Sequence, residues 1–311
     1  MKGLELARAY YEGCGKPMLQ QQFAEVLPYL AIGLAGSGSE CLGYDDELSR
    51  DHDFEPGFCI FLPDESVVER RTAFLLERAY AKLPRQFMGF ERAPLSPVGG
   101  NRHGVMRISE FFEQKVGSPD GRLSLPQWFA VPEQGLLEAT GGAVFDDALG
   151  QFSAVRERLR AFPPDVRRKK LAGHLLLMGQ AGQYNYPRCI ARGETGAAQL
   201  ALLNFVQSAM HCLFLLAGRY MPYYKWCFRA LRELQGGGQW AAPLERLICS
   251  DNADAAGKVQ IIEQLCAAVA DALRAQSLAD IAGNDAERLA YAVNNTVQDA
   301  AVRNAHILCG V

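Results

Sequence analysis

The pattern of apolar residues changes character near residue 150, and that change limits the fold more than any other feature. Before it, short apolar runs at residues 30–35, 58–62, 105–108 and 143–145 are separated by turn signals, each of strand length rather than helix length. A helix is expected over residues 64–83, with Asp64 as N-cap and Val68, Leu75, Leu76, Ala79 and Leu83 buried at helical spacing. After residue 150 the segments bounded by glycine and proline are long and rich in Ala and Leu: 151–161, 165–182, 194–218, 224–235, 254–276 and 285–308. The expectation is an α/β or α+β domain over residues 1–150 followed by an all-helical domain over residues 151–311. Residues 94–102 read as a loop, and Gly236-Gly237-Gly238 as a turn or hinge.

Composition removes several function classes. The 311 residues, 49% hydrophobic and 22% charged, suffice for two domains and a substantial core. A net charge of −3 and a pI of about 6.0 argue against bulk nucleic-acid binding and for a small or local partner. The longest apolar run, residues 200–217, contains Asn204, Gln207, Ser208 and His211, which suits a buried bundle helix better than a membrane span. The chain opens Met1-Lys2-Gly3-Leu4-Glu5, an amphipathic helix rather than a leader. Nine cysteines, odd in number and without a Cys-x-x-Cys pair, indicate neither a disulfide framework nor a zinc knuckle. A cytoplasmic, reduced protein without membrane attachment is expected. The oligomeric state is not legible.

One stretch carries chemistry: GSGSECLGYDDELSRDHDFEPG, residues 36–57. Its acids abut the apolar run 58–62, and carboxylates beside a buried strand are costly unless a cation compensates them. A phosphate-binding Gly-Lys-Ser/Thr loop does not fit, because no lysine lies between Lys16 and Lys82. A dinucleotide fingerprint starting at Gly36 fails at Cys41. A helical His-Asp phosphohydrolase fails too, since no histidine precedes His52. What fits is Gly38-Ser39, a spacer of eleven residues, then Asp51-x-Asp53; counted from Gly36-Ser37 the spacer is thirteen. This pattern resembles the signature of the DNA polymerase beta-like nucleotidyltransferase superfamily, whose small-molecule branch includes kanamycin nucleotidyltransferases with a helical C-terminal domain. The longer runs GYDDELSRDHDFEPGF, PEQGLLEATGGAVFDD and RYMPYYKWCFRAL look like an uncharacterised bacterial branch of it.

The resemblance implies an α+β fold, a nucleotidyltransferase domain with a small mixed sheet ahead of the helical domain, and an active site between them. It implies Mg²⁺-dependent transfer of a nucleoside monophosphate from an NTP to a hydroxyl of a small-molecule acceptor. Asp51 and Asp53 would hold the metal, a two-metal site being possible, because side chains two apart on an extended strand share a face. Gly36, Ser37, Gly38 and Ser39 would cradle the triphosphate. Arg50 would bind phosphate or else neutralise Asp45 and Asp46, and His52 would point away from the aspartates.

The superfamily's third carboxylate has no obvious counterpart. The strand expected beside the aspartates, residues 104–109, carries none, so Glu110 directly after it and Glu55 are the candidates. Two runs in the helical domain, GQYNYPRC with Tyr184 and Arg188, and RYMPYYKW with Tyr224 and Lys225, concentrate five of the eleven tyrosines. Lys225 or Arg188 would clamp phosphates and a tyrosine would stack on base or sugar, or the rings staple helix ends. Arg167-Arg168-Lys169-Lys170 reads as a solvated helix face. The competing class is a non-catalytic nucleotide-binding or partner-binding protein, regulatory or antitoxin-like, motivated by the unplaced third acid.

Overall fold

A computed structural model describes residues 1–50, 54–92 and 102–311, so Asp51, His52, Asp53 and all of the expected 94–102 loop but Arg102 lie outside the described residues. The fold is mixed α/β, with a small mixed sheet and many helices. Two compact units emerge, one formed by Met1–Ser124 with Val131–Arg160, the other by Leu125–Ala130 with Ala161–Val311.

In the first unit the apolar runs become strands. β1 (Ala31–Leu34) and β2 (Cys59–Leu62) are buried along their whole length, which is why their sequences are continuously apolar. They pair antiparallel with Ile32 opposite Ile60. A hairpin follows, β3 (Gln86–Phe87) and β4 (Phe90–Glu91), turning through Met88 and Gly89, both at positive φ as a tight two-residue hairpin turn requires. β5 (Gly104–Arg107) runs parallel to β2 on its outer side, and β6 (Ala143–Asp147) antiparallel to β1, giving the order β5-β2-β1-β6. Tyr10, Phe58 and Tyr80 pack ring against ring beneath β2, and the Tyr80 hydroxyl donates to Phe58 O at 2.8 Å while accepting from Phe58 N at 3.0 Å. On the other face Phe61 stacks on Phe152 at 3.9 Å between centroids.

The expected 64–83 helix starts later. Asp64 instead closes a turn, accepting from Ser66 N at 2.9 Å, and the helix runs Arg70–Ala81. Val68, Leu76 and Leu83 are buried as expected, but Leu75 is 47% exposed, because Leu76 and Tyr80, four apart, set the buried stripe and Leu75 lies one residue off it.

The second unit is built on Pro164–Met178, which packs against Thr195–Leu216 and Ala286–Asn295. Thr195–Leu216 is long and apolar enough to cross a membrane, yet 67% of its apolar window is buried inside the protein, as in a core helix. The expected 285–308 helix is two, Ala286–Asn295 and Ala300–Asn304. The Asp165 carboxylate accepts from the amides of Gln298 and Asp299 in the break, and Asp299 caps the second piece. A further helix, Ala241–Cys249, carries Pro243 in its first turn.

The basic run 167–170 is not a solvated face. Lys169 is fully buried, its ammonium donating to Asn294 Oδ1, Arg303 O and Ala305 O at 2.8, 3.2 and 2.7 Å. Lys170 reaches Gly310 O at 2.7 Å, and Arg167 reaches Leu215 O and Leu216 O at 2.6 and 3.0 Å. Carbonyls at and beyond helix C-termini lack partners along the chain, and cations satisfy them while meeting the negative end of the helix dipole.

Candidate functional site

The loop that leaves β1 is the centre of a charge cluster. Gly36 sits at φ +113° and Gly38 at φ +130°, ψ 150°, regions that side-chain-bearing residues rarely adopt. A Cβ on Gly38 would meet the Arg102 guanidinium and the Glu40 carboxylate. Arg102 pairs with Glu40 and donates to Ser37 O at 2.7 Å, so it lies across the loop. Lys115, on the helix Ile108–Val116, donates to Ser37 Oγ at 3.2 Å and to Glu138 at 2.6 Å. Glu138, on the helix Glu133–Thr140, also accepts from Ser37 Oγ at 2.8 Å and Gln134 at 3.0 Å. Burial would raise the Glu138 pKa, but the hydrogen bonds from Lys115, Gln134 and Ser37 outweigh it and hold the carboxyl below its ordinary value. Both ion pairs are largely shielded, Arg102 and Glu40 being 26% and 12% exposed and Lys115 and Glu138 17% each.

Beneath the loop lie two buried thiols. Burial pushes Cys59 up to about 12 and pushes Cys41 up as well, so neither is a thiolate nucleophile at neutral pH. The chemistry this arrangement supports is anion binding: glycines at positive φ, a hydroxyl and two cations whose present side-chain partners include carboxylates.

The remaining sequence candidates fall as follows. Ser39 opens the short helix Ser39–Leu42 beside the loop. Asp45, thought of as an Arg50 partner, is 3% exposed and held by Gly3 N at 2.8 Å and Lys2 Nζ at 3.5 Å; Asp46 accepts from Ser49 N at 3.1 Å. β5 ends at Arg107, earlier than the expected strand, and Glu110 is the third residue of the following helix. It is exposed and accepts from Arg107 N at 3.3 Å. Glu55 lies 3.2 Å from His103 Nδ1. A groove of about 670 Å³ is lined by Glu110 and by His103, the partner of Glu55. Asp51 and Asp53 are outside the described residues, and among the described residues no group of three His, Cys, Asp or Glu side chains is arranged to hold a metal ion.

In the helical unit Tyr184, 58% exposed, carries the Arg188 guanidinium over its ring at 4.2 Å. Tyr224 is 88% exposed and meets Tyr223 edge-on at 5.7 Å, while the Lys225 ammonium sits 5.1 Å from the Trp226 ring centroid. Tyr186 and Tyr220 of the same runs are buried. The runs thus mix helix stapling with exposed rings, and each pair is built within its own run.

Arg102, Lys115, Glu40 and Glu138 were missed by sequence reasoning. Their hydrogen bonds to Ser37, and that between Arg102 and Glu40, span 62 to 101 residues of chain, and that between Lys115 and Glu138 spans 23, distances over which no local pattern speaks. No curated protein and no solved structure matches the chain. Residues 128–227, which include Glu138 and both tyrosine runs but not the glycine-serine loop, match a family described as a domain of unknown function, DUF4037.

Proposed function

We propose that the chain is a Mg²⁺-dependent nucleotidyltransferase that moves a nucleoside monophosphate from an NTP to a hydroxyl of a small-molecule acceptor. In this reading the first unit holds a nucleotidyltransferase-fold domain and the second a helical C-terminal domain. The observation that carries it is the convergence of Arg102 and Lys115 on Ser37 in a loop whose glycines sit at positive φ. A triphosphate needs backbone amides, a hydroxyl and compensating positive charge in one place. Glu40 and Glu138 hold the two cations against the loop, and phosphate oxygens would exchange with those carboxylates as their partners. Asp51 and Asp53, hard oxygen donors two residues apart, would hold Mg²⁺, which would supply further neutralisation of triphosphate charge. Glu110 and Glu55 stand as the acids that would accept the acceptor's proton. All nine cysteines are free, in keeping with a reducing cytoplasm.

One observation favours a second reading, nucleotide binding without transfer. Glu110 and Glu55 already serve a helix cap and a histidine, so either would have to leave that partner to act as base. Incubation with each α-labelled NTP, Mg²⁺ and a metabolite extract separates the two. Label in a new product that disappears with Asp53→Asn supports transfer; NTP binding with no labelled product for any NTP supports the binder; no NTP binding overturns both.

A further inference from the structure

The helical unit contains a cavity of about 180 Å³ that the nucleotide reading does not use. Its walls come from the start of Pro164–Met178, the end of Thr195–Leu216 and the segments that flank them. Phe162, Leu171, Leu215 and Tyr220 give it an apolar floor, with Phe162 and Tyr220 in edge contact at 4.8 Å and Trp128 behind Phe162 at 5.9 Å. An apolar cavity of roughly 150 Å³ accommodates one benzene ring, so this one fits a ring-sized body.

Its rim is cationic. Arg167, Arg168 and Arg219 all line it. Arg167 is fixed by Leu215 O, Leu216 O and Gln276, and Arg168 by Asp165. Arg219 is exposed, and among the described residues its guanidinium has no hydrogen-bond or ion-pair partner. Asp165 is already committed to Arg168 and to the amides of Gln298 and Asp299. Burial first, and repulsion from Arg168 second, lower the Arg167 pKa, which marks a place where added negative charge is favoured.

We infer that this cavity is a binding site for a small organic anion, an aromatic or similarly sized apolar body bearing one carboxylate or phosphate, with the body on the Phe162–Tyr220 floor and the head on Arg219 and Arg168. The site is independent of the glycine-serine loop, and Arg219 supplies the discriminating contact, since it alone of the three has its donors uncommitted.

The test is calorimetric titration of the full chain with benzoate and with phenyl phosphate, against benzyl alcohol and inorganic phosphate as controls. Saturable binding of benzoate or phenyl phosphate is expected, and which of the two binds tighter assigns the head group. Arg219→Gln, which disturbs no existing partner, should weaken that binding roughly tenfold or more, the range for one charge-assisted contact. ATP titrations of the same variant report the first unit separately, so loss of ATP binding by the parent chain would refute the nucleotide reading and leave this one standing. The inference is overturned if neither probe saturates. It is equally overturned if Arg219→Gln binds as the parent does, if benzyl alcohol binds as well as benzoate, or if inorganic phosphate binds as well as phenyl phosphate.

Discussion

Replacing Gly38 by alanine tests the glycine-serine loop most directly. Alanine held at φ +130° and ψ 150° costs on the order of 1–3 kcal/mol in backbone strain. The added methyl would also lie 2.5 and 2.6 Å from the two carboxylate oxygens of Glu40 and against the Arg102 guanidinium. Those are ends of flexible side chains, so they would move, and Arg102 would surrender its hydrogen bond to Ser37 O. A hydrogen bond to a charged group is worth roughly 1.5–3 kcal/mol. A local loss of about 3 kcal/mol follows, and if the loop binds triphosphate, affinity should fall about 100-fold. Gly43→Ala is the control: Gly43 is also left-handed, at φ +78°, but nothing lies within 4 Å of its added Cβ. It should cost about 1 kcal/mol of stability and leave NTP affinity alone. Calorimetric titration with ATP and Mg²⁺, paired with urea midpoints for both variants, makes the comparison. Gly38→Ala binding as the parent does, or Gly43→Ala losing as much, would refute the reasoning.

Asp51→Asn or Asp53→Asn should abolish the Mg²⁺ dependence of NTP binding, and equal affinities with and without Mg²⁺ in the parent chain would remove the metal assignment. Glu138→Gln should destabilise the first unit at neutral pH, and because the Glu138 pKa is lowered in the fold, the stability it adds is present above its ordinary 4.5 and is lost as pH falls through the folded value. Urea midpoints of parent and variant should therefore converge in acid; a constant gap would contradict this. His174 stacks on His211 at 4.2 Å, and burial first, then His211 and Lys170, hold its pKa well below 6.5. It stays neutral in the fold while the unfolded chain takes up a proton, so stability should fall below pH 6.5 by up to about 1.4 kcal/mol per pH unit. His174→Asn should flatten melting temperature against pH, and an unchanged slope would place the acid sensitivity elsewhere. Lys169→Met keeps the buried stem but strands Ala305 O and Asn294 Oδ1, costing about 2–4 kcal/mol by urea denaturation; a change below about 0.5 kcal/mol would mean water replaces the ammonium.

Elements whose signal is local were legible in the sequence. β1, β2, β5 and β6 fall within two residues of the apolar runs that predicted them: β1 and β2, buried along their whole length, need a continuous apolar run, and the half-buried edge strands β5 and β6 carry shorter runs bounded by turn residues. The glycines of the loop were legible for the same reason, since their role is a backbone conformation. What surrounds the loop was not. Ser37 meets Glu138 only because β1 pairs with β6, whose preceding helix carries the acid, and it meets Arg102 only because β5 aligns beside β2. The basic run at 167–170 misled for a related reason. Its helical spacing suggested one solvated face, whereas the ends of other helices supply carbonyls that draw the same cations inward.

Shielded cations are held in two physically different ways, and the difference bears on where an anion can enter; Arg156 of the first unit, which donates to Thr140 O and Gly141 O, is held by main chain like the lysines of the helical unit. Lys169, Lys170 and Lys258 donate to main-chain carbonyls or to an asparagine oxygen. Displacing them would leave carbonyls unsatisfied, a penalty any incoming ligand would have to overcome. Arg102 and Lys115 are paired mainly with carboxylates, Glu40 and Glu138, that are themselves partly exposed. A phosphate that replaces such a carboxylate keeps the cation compensated and lets the carboxylate turn to water, and the one main-chain hydrogen bond at stake, Arg102 to Ser37 O, is exposed. The buried lysines of the helical unit are therefore fixed parts of its fold, and the glycine-serine loop is where the first unit's positive charge can change partners.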